Sequence, residues 1–119
     1  MREILLVEDD PEISKALTEI LGDYGYPVVW HADGQDGLAW LQQAVELPPV
    51  ILLDLQLPRM NGWDFVDVLR LDERLNRIPI IVMSAKREMP PPNIVAFLPK
   101  PIQLDRLFKA LDQYCPPVA

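Results

Sequence analysis

Asp54 closes an unbroken apolar run, Val50-Ile51-Leu52-Leu53, and the Pro- and Gly-punctuated turn from Leu57 to Gly62 follows at once. An acid delivered at the end of a buried strand is placed for chemistry, because the sites of open α/β sheets lie in the crevice outside the carboxyl ends of the strands. Three more acids, Glu8, Asp9 and Asp10, end the first apolar run, Ile4 to Val7; Ser84 ends the run Ile80 to Met83, and Lys100 follows Phe97-Leu98. Carboxylates packed together raise one another's pKa unless a cation sits among them. Magnesium suits an acid-rich set with no His or Cys at hand, since it takes oxygen ligands and commonly binds through one or two carboxylates plus a phosphate. An aspartate carboxylate can attack phosphorus to give an acyl phosphate, and the oxygens in transfer need neutralising by a metal and by a fixed ammonium or hydroxyl. Lys100 and Ser84 are of those types.

These residues reach one place only if their strands are parallel. The apolar runs at residues 4–7, 27–30, 50–53, 80–83 and 97–98 read as five strands, and residues 50–53 carry no polar side chain, as expected of a strand buried on both faces. Between them lie helical patterns. Ile13, Leu17, Ile20, Leu21 and Tyr24 share one face of a first helix that starts at Pro11, behind an Asp10 cap, and stops at Gly25; Leu38, Leu41 and Val45 mark a second, opened by Asp33-Gly34. Phe65, Val66 and Leu69 point a third inward, the charged stretch Asp72 to Arg77 reads as a solvated connection, and Leu104, Leu107, Leu111 and Tyr114 mark a last helix. Alternating strands and helices demand right-handed crossovers and a doubly wound α/β domain with a five-stranded parallel sheet.

The 119 residues suffice for one domain, 1–119, with a real core, and a composition half apolar and 24% charged is that of a soluble globular protein. The formal charge of -7, with no Lys/Arg cluster to offset it, argues against direct nucleic-acid binding and against anionic membranes. A single cysteine, Cys115, excludes an internal disulfide framework and a cysteine metal cage, and the acids at 8–10 interrupt the first apolar run before it could serve as a leader or span a membrane. A cytoplasmic location is expected.

Four segments, ILLVEDD, LLDLQLPRMNG, IIVMSA and FLPKP, each at a predicted strand end, make the chain resemble a response-regulator receiver domain, the phosphoacceptor module of two-component signalling, over essentially its whole length. The resemblance implies a flavodoxin- or CheY-like fold and a conformational switch that takes a phosphoryl group from a sensor histidine kinase or a histidine phosphotransfer protein. It makes Asp54 the phosphoacceptor and Glu8 with Asp9 the acid pair for Mg2+, Asp9 the more direct ligand, with Asp54 itself and the Gln56 backbone carbonyl as further ones. Ser84 would hydrogen-bond the phosphoryl group and Lys100 would ion-pair with it. Ser84 and Phe97 would form the switch, and the Lys100–Pro101 bond would be cis. Gln56 and Lys86, two residues past Asp54 and Ser84, would lie at the rim. His31 reads as a surface or loop residue, and Trp30, Trp40 and Trp63 as packing residues.

The chain departs from the family between Ser84 and Lys100, where the interval is about one and a half helical turns short and holds Pro90-Pro91-Pro92. Three prolines favour polyproline II geometry, so the fourth crossover helix should be shortened or replaced by an irregular loop, with at most a single turn near residues 86–89. Phosphorylation is then expected to act on the loop from Lys86 to Val95. With no output segment after Tyr114, a stand-alone or excised receiver is expected. A pseudo-receiver scaffold that binds a partner without phosphorylation is the alternative. A magnesium-dependent aspartyl-phosphate hydrolase would commonly carry a second acid where Gln56 stands, and a flavodoxin-like mononucleotide carrier would need a Ser/Thr/Gly-rich phosphate loop after the first strand.

Overall fold

A computed structural model describes residues 2–85 and 89–114. Apolar segments form five strands, β1 (Ile4–Val7), β2 (Val28–His31), β3 (Ile51–Asp54), β4 (Ile80–Ser84) and β5 (Ala96–Pro99), all parallel in the order β2-β1-β3-β4-β5. Four helices accompany them: α1 (Pro11–Asp23), α2 (Gly34–Gln43), α3 (Gly62–Leu71) and α4 (Leu104–Tyr114). The second strand begins one residue later than its apolar run suggested and takes in His31.

Each helix start is made locally. The Asp10 side chain accepts from the amides of Glu12 (2.9 Å) and Ile13 (3.3 Å), with Pro11 in the first turn, where a missing amide costs nothing. Asp33 caps α2 through Asp36 N (2.8 Å), and Asn61 caps α3 through Asp64 N (2.9 Å). At the end of α1 Gly25 adopts φ +99°, and the amides of Gly25 and Tyr26 return to the carbonyls of Gly22 (3.1 Å) and Leu21 (2.8 Å). That is a Schellman stop, which needs a left-handed residue at this place. It also drops buried Tyr26 beside buried Leu21.

The sheet is covered on both faces, which is why β1, β3 and β4 could be apolar without alternation. Leu17 and Leu21 of α1 and Leu107 and Leu111 of α4 pack on Ile4, Leu6, Leu52, Ile81 and Met83. Leu38 and Leu41 of α2 and Phe65 and Leu69 of α3 pack on Leu5, Val7, Ile51, Leu53 and Val82.

Three expectations are corrected. Val45 is 96% exposed, because α2 ends at Gln43 and Ala44 turns extended; the Arg74 guanidinium donates to the carbonyls of Leu41 and Ala44 and closes the helix there. The Asp72–Arg77 connection is not simply solvated: Asp72 Oδ1 accepts from the amides of Arg74 and Leu75 (2.8 and 3.1 Å) and turns Leu75 into the core, 1% exposed. In α4, Leu104 is 42% exposed and Ala110 takes the inward place beside Leu107 and Leu111.

The fourth crossover holds no helix among its described residues, as the prolines dictate. Instead α3 holds the loop. The Trp63 indole donates to Met89 O (3.0 Å), and the Arg70 guanidinium donates to Asn93 O as well as to Asn76 O (2.7 Å) and Ile78 O (3.3 Å). Pro91 is buried, Ile94 packs on the α2/α3-side core, and Asn93 sits at φ +65°, a conformation asparagine tolerates better than most residues. Burial lowers the Arg70 pKa, and its Nε has no partner among the described residues. The turn expected near 86–89, the rim position Lys86 and Cys115 lie wholly or mainly outside the described residues.

Candidate functional site

Register brings the strand-end residues level. Val7 faces Leu53, so Glu8 stands beside Asp54; Asp54 faces Met83, so Ser84 lies one residue further along β4. Ser84 in turn faces Pro99, and Lys100 follows, its amide donating to Ser84 O (2.8 Å). Four strands therefore end on one crevice, as the parallel topology requires.

Within it, Glu8, Asp9 and Asp54 can each offer an oxygen such that all lie within 4.8 Å of one another. Lys100 Nζ donates to Glu8 Oε1 (3.0 Å), Glu8 Oε2 (2.9 Å) and Asp54 Oδ2 (3.2 Å). Glu8 is fully buried, Asp54 is 3% exposed, and Ser84 is 1% exposed beside them. Asp9 is exposed, and no hydrogen bond or ion pair holds its side chain among the described residues. Two carboxylates, Glu8 and Asp54, share one ammonium, and the electrostatics follow. Burial, helped by the Asp54 charge, pushes the Glu8 carboxyl up to about 7, although the Lys100 ammonium and the Asp10 amide (3.3 Å) pull it down. Burial works against the Lys100 ammonium, yet Glu8 and Asp54 outweigh it and raise its pKa.

The turn after β3 is built to hold Asp54 in place. Gln56 N donates to Asp54 Oδ1 (3.2 Å), and Gly62 N returns to Leu55 O (2.9 Å). A Cβ on Gly62 would lie 2.7 Å from Leu55 Cα and 2.8 Å from Asp54 O, so only glycine lets α3 start this close to the acid. Arg59, at φ +65°, reaches across to the α2 start, pairing with Asp33 (3.1 Å) and bonding Gln35 Oε1. Gly34 accepts the turn from the other side, where a Cβ would meet Met60 O at 2.3 Å.

The structure thus gathers Glu8, Asp9, Asp54, Ser84 and Lys100 in one crevice, with exposed Gln56 at its rim and the Lys100–Pro101 peptide cis. Phe97 stands apart: it is half-buried, level with Val82 on β4, and packs with the α2/α3-side core. Two aromatic assignments change. Trp30 is not a plain packing residue, being 42% exposed with its indole N–H on Glu8 O (2.6 Å). His31 is no loop residue: it ends β2 half-buried, its ring 6.4 Å from Trp40, and its Nε2 is buried with no partner among the described residues. Neither the Trp30 bond nor the Arg59 bridge had a local signal, since each joins residues more than twenty positions apart.

A family model described as the response regulator receiver domain matches residues 4–112. Hybrid signal transduction histidine kinase D of Dictyostelium discoideum is 38% identical over 85 residues, 71% of this chain but 5% of that protein. Protein PilH of Pseudomonas aeruginosa is 35% identical over 86 residues, 72% of this chain and 69% of that protein. The chain spans about a third of the transcriptional regulators that it also matches. The receiver domain of sensor histidine kinase PA1611 of Pseudomonas aeruginosa, solved with a magnesium ion coordinated in its active site cleft, superposes with a TM-score of 0.85 at 28% identity, over 95% of this chain and 96% of that one. With the acid crevice at the carboxyl edge of its parallel sheet, the chain belongs to the response regulator receiver domain family, the receiving module of phosphorelay signalling.

Proposed function

We propose that Asp54 accepts a phosphoryl group from a phosphohistidine on a sensor histidine kinase or a histidine phosphotransfer protein. The observation that supports this reading most is Lys100 Nζ lying 3.2 Å from Asp54 Oδ2 inside a three-carboxylate crevice. An Asp54 carboxylate oxygen attacks phosphorus, the phosphorus–nitrogen bond breaks, and its electron pair leaves with the imidazole. Lys100 is at hand to neutralise a phosphoryl oxygen, and buried Ser84 to donate a hydrogen bond to one. Gln56 N fixes Asp54 Oδ1, which leaves the carboxylate one orientation at the strand end.

Glu8, Asp9 and Asp54 fit a hard cation: three oxygen donors within 4.8 Å of one another carry more negative charge than one ammonium balances. We read them, with the Gln56 backbone carbonyl, as the residues that hold Mg2+. When bound, the ion supplies positive charge that screens the acids and the phosphoryl oxygens. Ser84 and Phe97 are read as the switch that answers phosphorylation. The family is not one of enzymes acting on other substrates, and the chain's own phosphorylation and dephosphorylation are the only reactions proposed. Among the described residues no helix is long and apolar enough to cross a membrane.

Incubation with acetyl phosphate and Mg2+, followed by intact-mass measurement, tests the reading. One phosphoryl adduct is expected on the wild type and none on Asp54→Ala. No adduct on the wild type, at any donor concentration that phosphorylates a control receiver, would favour the pseudo-receiver scaffold.

A further inference from the structure

Asp9 is the exposed member of the acid set, and no side-chain partner aims its carboxylate among the described residues. The backbone therefore sets where its Cα–Cβ bond points, and with it which of its rotamers can reach the crevice. The residue before it is clamped on both sides by β2: Glu8 N donates to His31 O (3.1 Å), and Glu8 O accepts the Trp30 indole N–H (2.6 Å). The first contact is ordinary sheet pairing continued for one residue. The second comes from a side chain and fixes the plane of the Glu8–Asp9 peptide. Resting on the magnesium reading above, we infer that Trp30 is a positioning residue for the cation site, its indole N–H holding the Glu8 carbonyl so that Asp9 faces Glu8 and Asp54.

Outer contacts that orient metal ligands are worth at least about tenfold in affinity where they have been removed. Trp30→Phe keeps an aromatic ring but removes the N–H together with the five-membered ring that carries it, and Trp40→Phe makes the same truncation elsewhere as the control. Titration of the full chain with MgCl2 by calorimetry should show affinity weakened about tenfold in Trp30→Phe. Trp40→Phe, on the α2 side of the sheet, should match the wild type. An unchanged affinity in Trp30→Phe overturns the inference while leaving the magnesium reading intact. No binding by the wild type overturns the magnesium reading and the inference with it. A second measurement does not depend on that variant folding. In the wild type, the Trp30 indole N–H resonance, assigned by elimination with Trp40→Phe and Trp63→Phe, should shift along the MgCl2 titration with the calorimetric affinity. A resonance that stays in place would count against the contact's having any part in binding.

Discussion

Replacing Lys100 by methionine removes the cation that Glu8 and Asp54 share while keeping the length of the stem. Three short bonds are lost, at 2.9, 3.0 and 3.2 Å, and the two acids left behind are 0% and 3% exposed. Breaking a buried ion pair from one side costs about 3–5 kcal/mol, because the stranded charge cannot regain water. The lower end applies here. The Lys100 side chain is 13% exposed, so water at its edge screens the pair and can reach the acids once it is gone, and Glu8, already pushed up to about 7, takes a proton at modest cost. A loss of about 3 kcal/mol is expected in the metal-free chain, read as a shift of the urea midpoint at constant slope. Saturating Mg2+ should shrink that loss to about 1 kcal/mol, since the ion replaces the missing positive charge, and Glu8→Gln in the Lys100→Met background should recover part of it. A metal-free loss below about 1 kcal/mol, or one that Mg2+ leaves unchanged, would refute a crevice organised by charge balance.

Gly62→Ala should destabilise by about 1–3 kcal/mol and slow phosphorylation by acetyl phosphate, because its Cβ would press on backbone atoms of Leu55 and Asp54; wild-type midpoint and rate together would contradict that packing. Arg70→Met should cost about 2 kcal/mol in urea unfolding and expose the crossover loop to protease, since three carbonyls lose a charged donor, and Arg70→Lys should restore only part of this for want of a fork. Hydrogen exchange with and without beryllofluoride and Mg2+ should show altered protection in the segment from Lys86 to Val95, between β4 and β5; unchanged protection there would reject this segment as the one that responds.

What the chain spelled out plainly were its strands and what ends them. Asp54 and Ser84 were legible because each ends an apolar run as uniform as a doubly covered strand requires, whereas Lys100 follows only the short Phe97-Leu98 run of a half-buried edge strand and stood out through the FLPKP resemblance; register then leaves one place for all three. The triple proline was equally legible, since it forbids a helix whatever surrounds it. Contacts made across the fold were not. Val45 falls at helical spacing from Leu41, and only the distant Arg74 on the last carbonyls shows that α2 has already stopped. Leu75 sits among five charged or polar neighbours from Asp72 to Arg77, and its burial depends on a turn that Asp72 makes by capping it. Trp30 offers an apolar ring and one donor, and nothing local says that the donor finds Glu8 O.

The central claim is that residue 54 itself carries the phosphoryl group. Borohydride reduction of the chain after treatment with acetyl phosphate and Mg2+ converts a phosphorylated aspartate to homoserine, and peptide mapping then reads its position. The account predicts homoserine at position 54 alone, lost when Mg2+ is chelated beforehand. Homoserine at position 9 or 10 in place of 54, or a stable phosphoester on Ser84 with Asp54 unmodified, would contradict it.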